Sequence, residues 1–282
     1  MLLKLFNPSF LFLRIFSETK FEFHKYIVYS AIKFSFYEQG VRVMNLTGKV
    51  VMIVGAGRGI GRCCAELFSK AGASLVLASR DEAELYELEY KLAHKNNTEV
   101  LALPTDAIIK ADVERLVEEA KWRFGRIDTL VYSAGIGMLK PFNETTSQDF
   151  DRLFDVNTRG AFYAMQAVLP VMAEQKSGNV VVIPGVLGRA PMTSAAAYCA
   201  AKYALTGMTK CLALEYKRFG IRFRLMHFGA VDTSFWDNIS KRVPSERMMT
   251  ADDAAKEVFF AATQEGESVL SERISQPELQ QL

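Results

Sequence analysis

The chain has 282 residues, half of them hydrophobic, and a formal net charge of +2. That length carries one large core or two modest ones, and the near-neutral balance excludes the strong field that draws a protein to nucleic acid or acidic lipid. The four cysteines (Cys63, Cys64, Cys199, Cys211) show no C-x-x-C spacing and the three histidines (His24, His94, His227) lie far apart, so no metal or haem set is expected and a reduced, cytoplasmic setting fits.

The first 43 residues stand apart. They hold eight of the twenty Phe and no Gly before Gly40. Their uncharged run from Leu5 to Leu13 is closed by Arg14, well short of the roughly 20 apolar residues a membrane span needs. No secretory cleavage pattern is clear. Residues 1–44 therefore read as an N-terminal extension outside the fold, and 45–282 as the one domain. The extension is either disordered or loosely docked, or the true start is Met44, or the segment is a targeting or membrane-surface one.

From Lys49 strands and helices alternate. "KVVMIVG" (49–55) is an apolar run of buried-strand length. A helix follows with apolar Ile60, Cys64, Leu67 and Phe68 at helical spacing and a stop at Gly72. "SLVLAS" is the second strand, 81–95 an amphipathic helix, "EVLALP" the third strand, and 110–124 a helix ending at Gly125. "IDTLVYSAG" is the fourth strand. One long helix is expected over 147–175, then "NVVVIPG" as strand five, a helix over 194–219, "IRFRLMHFG" as strand six and "SVLSERIS" as strand seven. Such alternation predicts an α/β fold: one Rossmann-like, doubly wound domain with a mostly parallel seven-stranded sheet and helices on both faces. Ligands of such sheets bind beyond the carboxyl ends of the strands.

Strand one runs into Gly55-Ala56-Gly57-Arg58-Gly59-Ile60-Gly61. Gly permits positive φ and close backbone approach to a pyrophosphate, and the next helix offers free N–H groups to phosphate. At the end of strand two, Ser79 stands where an acid would select NAD, with Arg80 beside it and Arg58 in the loop. Two guanidiniums suit a 2′-phosphate, which favours NADP over NAD; the competing reading makes them solvated surface charges. Tyr198 and Lys202 are four apart on one helix and share a face. A free phenol titrates near ~10, and a neighbouring ammonium favours its ionised form, which would suit proton transfer to an alcohol oxygen.

From about Asn45 onward the chain resembles the classical short-chain dehydrogenases/reductases. The resemblance rests on the glycine loop, "DTLVYSAG" (128–135), "DVNTRGAF" (155–162), Tyr198-x-x-x-Lys202 and "GIRFRLMHFGAVDT" (220–233), all in the family's order. It implies that Tyr198 is the general acid/base and that Lys202 holds the nicotinamide ribose and lowers the Tyr198 pKa. It implies further that Asn157 keeps a water in a proton relay and that Asp106 meets the adenine edge. Ala134 and Gly135 would line the ribose, and Val231 and Thr233 would meet the carboxamide. A homo-dimer or homo-tetramer acting on an alcohol or ketone is implied too.

The chain departs from the family at one place above all. The usual Ser thirteen residues before the Tyr is Gly185, preceded by Pro184. Val54, Tyr132, Ser133, Phe228 and Arg224 are further departures, expected around the same site. Thr193 or Ser194 could supply a substitute hydroxyl, although Ser194 also reads as a helix N-cap. If the missing donor limits the rate, Gly185→Ser is expected to raise turnover. Two functions stay open: an NADP(H)-dependent carbonyl/alcohol oxidoreductase, or a nucleotide-binding protein with weak or no turnover. The substrate pocket is expected to draw on Met138, Leu139, Leu187, Met192, Phe235 and Trp236, favouring a moderately apolar molecule.

Overall fold

Apolar runs too short for buried helices and bounded by Gly make the strands, and between them the 3.6-residue periodicity makes the helices. The computed structural model describes residues 44–239, 244–264 and 268–277; the extension expected over 1–44 lies, up to residue 43, outside them. In chain order the first elements are β1 (Val50–Val54), α1 (Gly59–Lys70), β2 (Ser74–Ser79), α2 (Glu82–Asn96), β3 (Val100–Pro104), α3 (Lys110–Phe124) and β4 (Thr129–Tyr132). Then come α4 (Ser147–Phe154), α5 (Gly160–Gln175), β5 (Gly178–Val182), α6 (Ala196–Glu215) and β6 (Ile221–Phe228). The chain closes with β7 (Val231–Asp232), β8 (Met249–Thr250), α7 (Ala251–Thr263) and β9 (Leu270–Ser275).

Seven strands form one parallel sheet in the order β3-β2-β1-β4-β5-β6-β9. The sheet is buried on both faces. Along β1, Val50, Met52 and Val54 enter one core cluster, with α3, α5 and α6, while Val51 and Ile53 enter the other, with α1, α2 and α7. Period-2 alternation on a sheet covered on both sides is why the strand reads as an unbroken apolar run. The strand order reverses direction between β1 and β4, which opens a crevice above their carboxyl ends. Among the described residues no helix is long and apolar enough to cross a membrane.

Three features differ from the sequence reading. The helix expected over 147–175 is broken by a π-helical segment, Asp155–Arg159, between α4 and α5. A short parallel pair, β7 with β8, and the helix α7 were not foreseen. The signal for α7 was in the sequence: Thr250 caps it by accepting the Asp253 N–H at 3.1 Å, acids fill its first turn, and Ala254, Val258 and Phe259 form its buried stripe. The third is α6, whose N-cap is Ala195 with no side-chain cap bond. Ser194 sits instead at φ +61°, exposed, its carbonyl accepting the Lys140 N–H.

Candidate active site

The glycine loop is shaped by close approach. The Gly55 N–H and Ala56 N–H both reach the Ala78 carbonyl, each at 2.9 Å, which folds the end of β1 toward β2. A Cβ on Gly55 would lie 2.6 Å from the Ala134 nitrogen, and one on Gly61 would lie 2.0 Å from the Gly55 oxygen. Gly55 also holds φ +89°. No larger residue fits these positions. The α1 N-terminus at Gly59 has no side-chain cap, so its first N–H groups face the crevice unspent.

A cavity of ≈ 270 Å³ occupies that crevice. Gly55, Arg58, Gly59 and Ile60 line its floor from the loop, and Arg80 and Asp106 line it from the ends of β2 and β3. Ala134 and Gly135 follow β4, and Val231 and Thr233 follow β6. Tyr198 and Lys202 enter from α6. Of the sequence-derived site residues only Gly61 and Asn157 are not in the lining. Gly61 instead packs the helix onto the loop. Arg58 and Arg80 are exposed, and among the described residues neither has an ion-pair partner. Asp81, next to Arg80, caps α2 by accepting the Glu84 N–H at 3.0 Å. Bare backbone, free helix N–H groups and two unpaired guanidiniums fit a phosphorylated dinucleotide.

Asn157 lies fully buried in the π segment. Its amide nitrogen donates to the Ile136 and Leu153 carbonyls at 2.9 and 3.0 Å, and its oxygen accepts the Ile136 N–H at 3.2 Å. It thereby clamps the loop after β4 to the helix. Thr158 donates to the Ala201 carbonyl at 2.8 Å, tying the same segment to α6.

Lys202 is 5% exposed and its ammonium donates to the Ile183 carbonyl at 3.2 Å. Burial alone pulls its pKa down to about 8. The ammonium lies 5.8 Å from the centroid of the Tyr198 ring. Burial pushes the Tyr198 phenol above its ordinary range. The lowering expected from Lys202 is thus not what the protein alone displays, desolvation being the largest cause of the shift.

At Gly185 the departure from the expected serine has a backbone cause. Gly185 holds φ +70° and ψ 175°, a region essentially confined to glycine. A serine there would carry strain of about 1–3 kcal/mol, so restoring the hydroxyl is not the simple gain expected from sequence. The two candidate substitutes, Thr193 and Ser194, are exposed and do not line the cavity. Besides Tyr198, hydroxyls that do line it belong to Ser79, Thr105, Ser133, Thr233 and Ser234.

Residues 49–244 match the family model described as short chain dehydrogenase. The chain belongs to the short-chain dehydrogenase family. An uncharacterised oxidoreductase of Staphylococcus saprophyticus is 35% identical over 248 residues, covering 84% of this chain and 99% of its own. Among solved structures, the alcohol dehydrogenase of the archaeon Thermococcus sibiricus, complexed with 5-hydroxy-NADP, superposes with a TM-score of 0.77 at 25% identity. It covers 83% of this chain and 98% of its own. The 3-ketoacyl-(acyl-carrier-protein) reductase of Brucella melitensis, complexed with NADH, gives 0.75 at 25% identity over 83% and 99%.

Two of the family departures lie away from the cavity and have structural work of their own. Arg224, 3% exposed, donates to the Ala261, Phe223 and Ser268 carbonyls at 3.1–3.3 Å, so it caps the last turn of α7. Tyr132, 1% exposed, donates to the Val156 carbonyl at 2.8 Å, in the π segment. Phe228 and Ser133 do line the cavity. Of the expected substrate walls, Phe235 and Trp236 line it, while Met138, Leu139 and Met192 pack with Tyr198 in two small apolar clusters beside it.

Proposed function

We propose that this short-chain dehydrogenase is an NADP(H)-dependent oxidoreductase that interconverts a carbonyl and an alcohol. The observation that carries the reading is that Tyr198 and Lys202 open into the same cavity as the glycine loop, Arg58 and Arg80. NADPH bound there supplies the hydride. Tyr198, kept protonated by burial, donates its proton to the carbonyl oxygen as the alcohol forms. Lys202 holds the ribose hydroxyls and offsets the charge left on the phenolate. Asn157 acts at one remove, by fixing the π segment and the loop after β4. Asp106 meets the adenine edge, Ala134 and Gly135 the ribose, and Val231 and Thr233 the carboxamide. Arg58 and Arg80 favour the 2′-phosphate, in line with the NADP analogue in the Thermococcus enzyme, although the Brucella reductase carries NADH. Phe235, 6.1 Å from Tyr198 between ring centroids, and Trp236 favour an apolar substrate. A homo-dimer or homo-tetramer in the cytoplasm belongs to the same proposal.

A second reading, a nucleotide-binding protein of weak turnover, is favoured by Gly185: the donor usual at that position is absent, and loss of one donor to a reacting oxygen costs about 10²–10³ in rate. A panel of ketones and alcohols followed by NADPH absorbance separates the two readings. Turnover is expected, and Tyr198→Phe is expected to abolish it while NADPH affinity stays within about twofold, since the phenol acts on the substrate oxygen. Fluorescence titration should give tighter binding of NADPH than of NADH; equal affinities would refute the role given to Arg58 and Arg80.

A further inference from the structure

His227 was read from sequence only as an isolated histidine. It lies on β6, fully buried, directly behind Gly185. Its Nδ1 is 3.0 Å from the Gly185 carbonyl oxygen, and its Nε2 is 3.2 Å from a carboxylate oxygen of Glu272 on β9. A carbonyl only accepts, which puts a proton on Nδ1. Glu272 is held ionised, chiefly by the hydrogen bond from Lys210 on α6 at 2.6 Å. Arg189, after the Gly185 turn, approaches the same carboxylate at 3.5 Å. An ionised carboxylate also only accepts, so Nε2 faces an acceptor too. Each ring nitrogen has one fixed partner, and the ring is clamped between the sheet edge and Gly185.

Gly185 is gripped from three sides. Its N–H donates to the Met226 carbonyl at 3.3 Å, and its oxygen accepts from His227 and from the Gly188 N–H at 3.1 Å. The grip holds φ at +70°, where glycine alone is at ease. The turn it starts carries Val186 and Leu187, which pack in one apolar cluster with Tyr198 and Cys199. A chain of contacts thus runs from Glu272 through His227 and Gly185 to the wall against which Tyr198 rests.

We infer that His227 is a positioning residue for the carbonyl-binding side of the site, fixing the Gly185 turn through its backbone in a protein that lacks the serine usual there. The inference rests on the carbonyl-reducing reading above. Two isosteric changes separate its halves in the full-length chain. His227→Asn keeps an amide nitrogen near the place of Nδ1 and so keeps the bond to Gly185. His227→Gln keeps one near Nε2 and so keeps only Glu272.

For an accepted ketone with NADPH, kcat/KM is expected to fall about tenfold or more in the Gln variant and within about threefold in the Asn variant, the cost being misplacement rather than lost chemistry. NADPH affinity by fluorescence titration should be unchanged in both. Hydrogen exchange of the 185–190 amides should quicken in the Gln variant only. Equal impairment of the two variants, or none in either, overturns the inference. If the wild-type protein turns over no ketone, the proposed function fails, and the exchange pattern alone then decides the role of His227.

Discussion

Lys202 shows what burying an ammonium costs the fold. Moving its pKa from 10.5 to about 8 is a burial penalty of about 3 kcal/mol at neutral pH. Below about pH 8 the lysine is protonated in both states and the whole penalty is present. Between about pH 8 and 10.5 the unfolded chain holds a proton that the folded one has released, so stability rises with pH through that window. Lys202→Met removes the charge but leaves the Ile183 carbonyl without its donor, a loss of about 1 kcal/mol. The variant is therefore expected to be more stable than wild type by roughly 2 kcal/mol at pH 7, with no advantage left by about pH 10. Urea midpoints of the cofactor-free proteins at the two pH values check this, and an advantage independent of pH would mean the gain is packing rather than charge. That Lys202 shares a helix face with Tyr198 was legible from the i, i+4 spacing. The strength of its burial was not, because that depends on Ile183 and Gly135, which neighbour Lys202 only in the fold.

At the scale of elements the sequence reading failed where a regular pattern hid an irregular backbone. The run 147–175 has helical periodicity throughout, yet one extra residue per turn is accommodated at Asp155–Arg159. The π segment leaves the Val156 carbonyl facing the sheet, and Tyr132 reaches it from β4. A Cβ on Gly160 would come within 2.4 Å of that same hydroxyl, so helix and strand are matched by a glycine and a tyrosine together. Tyr132 was legible as a departure from the family pattern; its purpose was not, since the partner lies 24 residues away. Tyr132→Phe strands a buried carbonyl and is expected to lower stability by about 1–3 kcal/mol. It should also loosen the Asn157 clamp, seen as faster hydrogen exchange at the Ile136 amide, which donates to Asn157. A loss of stability with unchanged exchange there would confine the hydroxyl to the core. The helix α7 escaped notice for another reason: its N-cap Thr250 and capping partner Asp253 were legible, but the strand beside it, β8, has only two residues and no periodicity to announce it.

For the whole molecule, strand count and parallel topology were legible because a sheet covered on both faces turns every strand into an apolar run. Strand order was not, since β9 pairs with β6 across more than forty residues that include α7. The first described residues are tied down by local bonds. The Leu46 N–H donates to the Ala71 carbonyl at 2.7 Å, and Asn45 accepts the Thr47 N–H at 2.9 Å. Lys49 pairs with Asp128 at 3.1 Å, which also accepts the Val50 N–H and both arms of Arg126. A chain begun at Met44 keeps every one of these bonds and all the described strands of the sheet. We expect it to match the full-length protein in urea midpoint, NADPH affinity and m-value. The m-value is the discriminating quantity, because it scales with the surface exposed on unfolding. If residues 1–43 buried area against themselves or the domain, the full-length protein would show the larger m even at equal midpoint, and the extension would have to be counted as part of the fold.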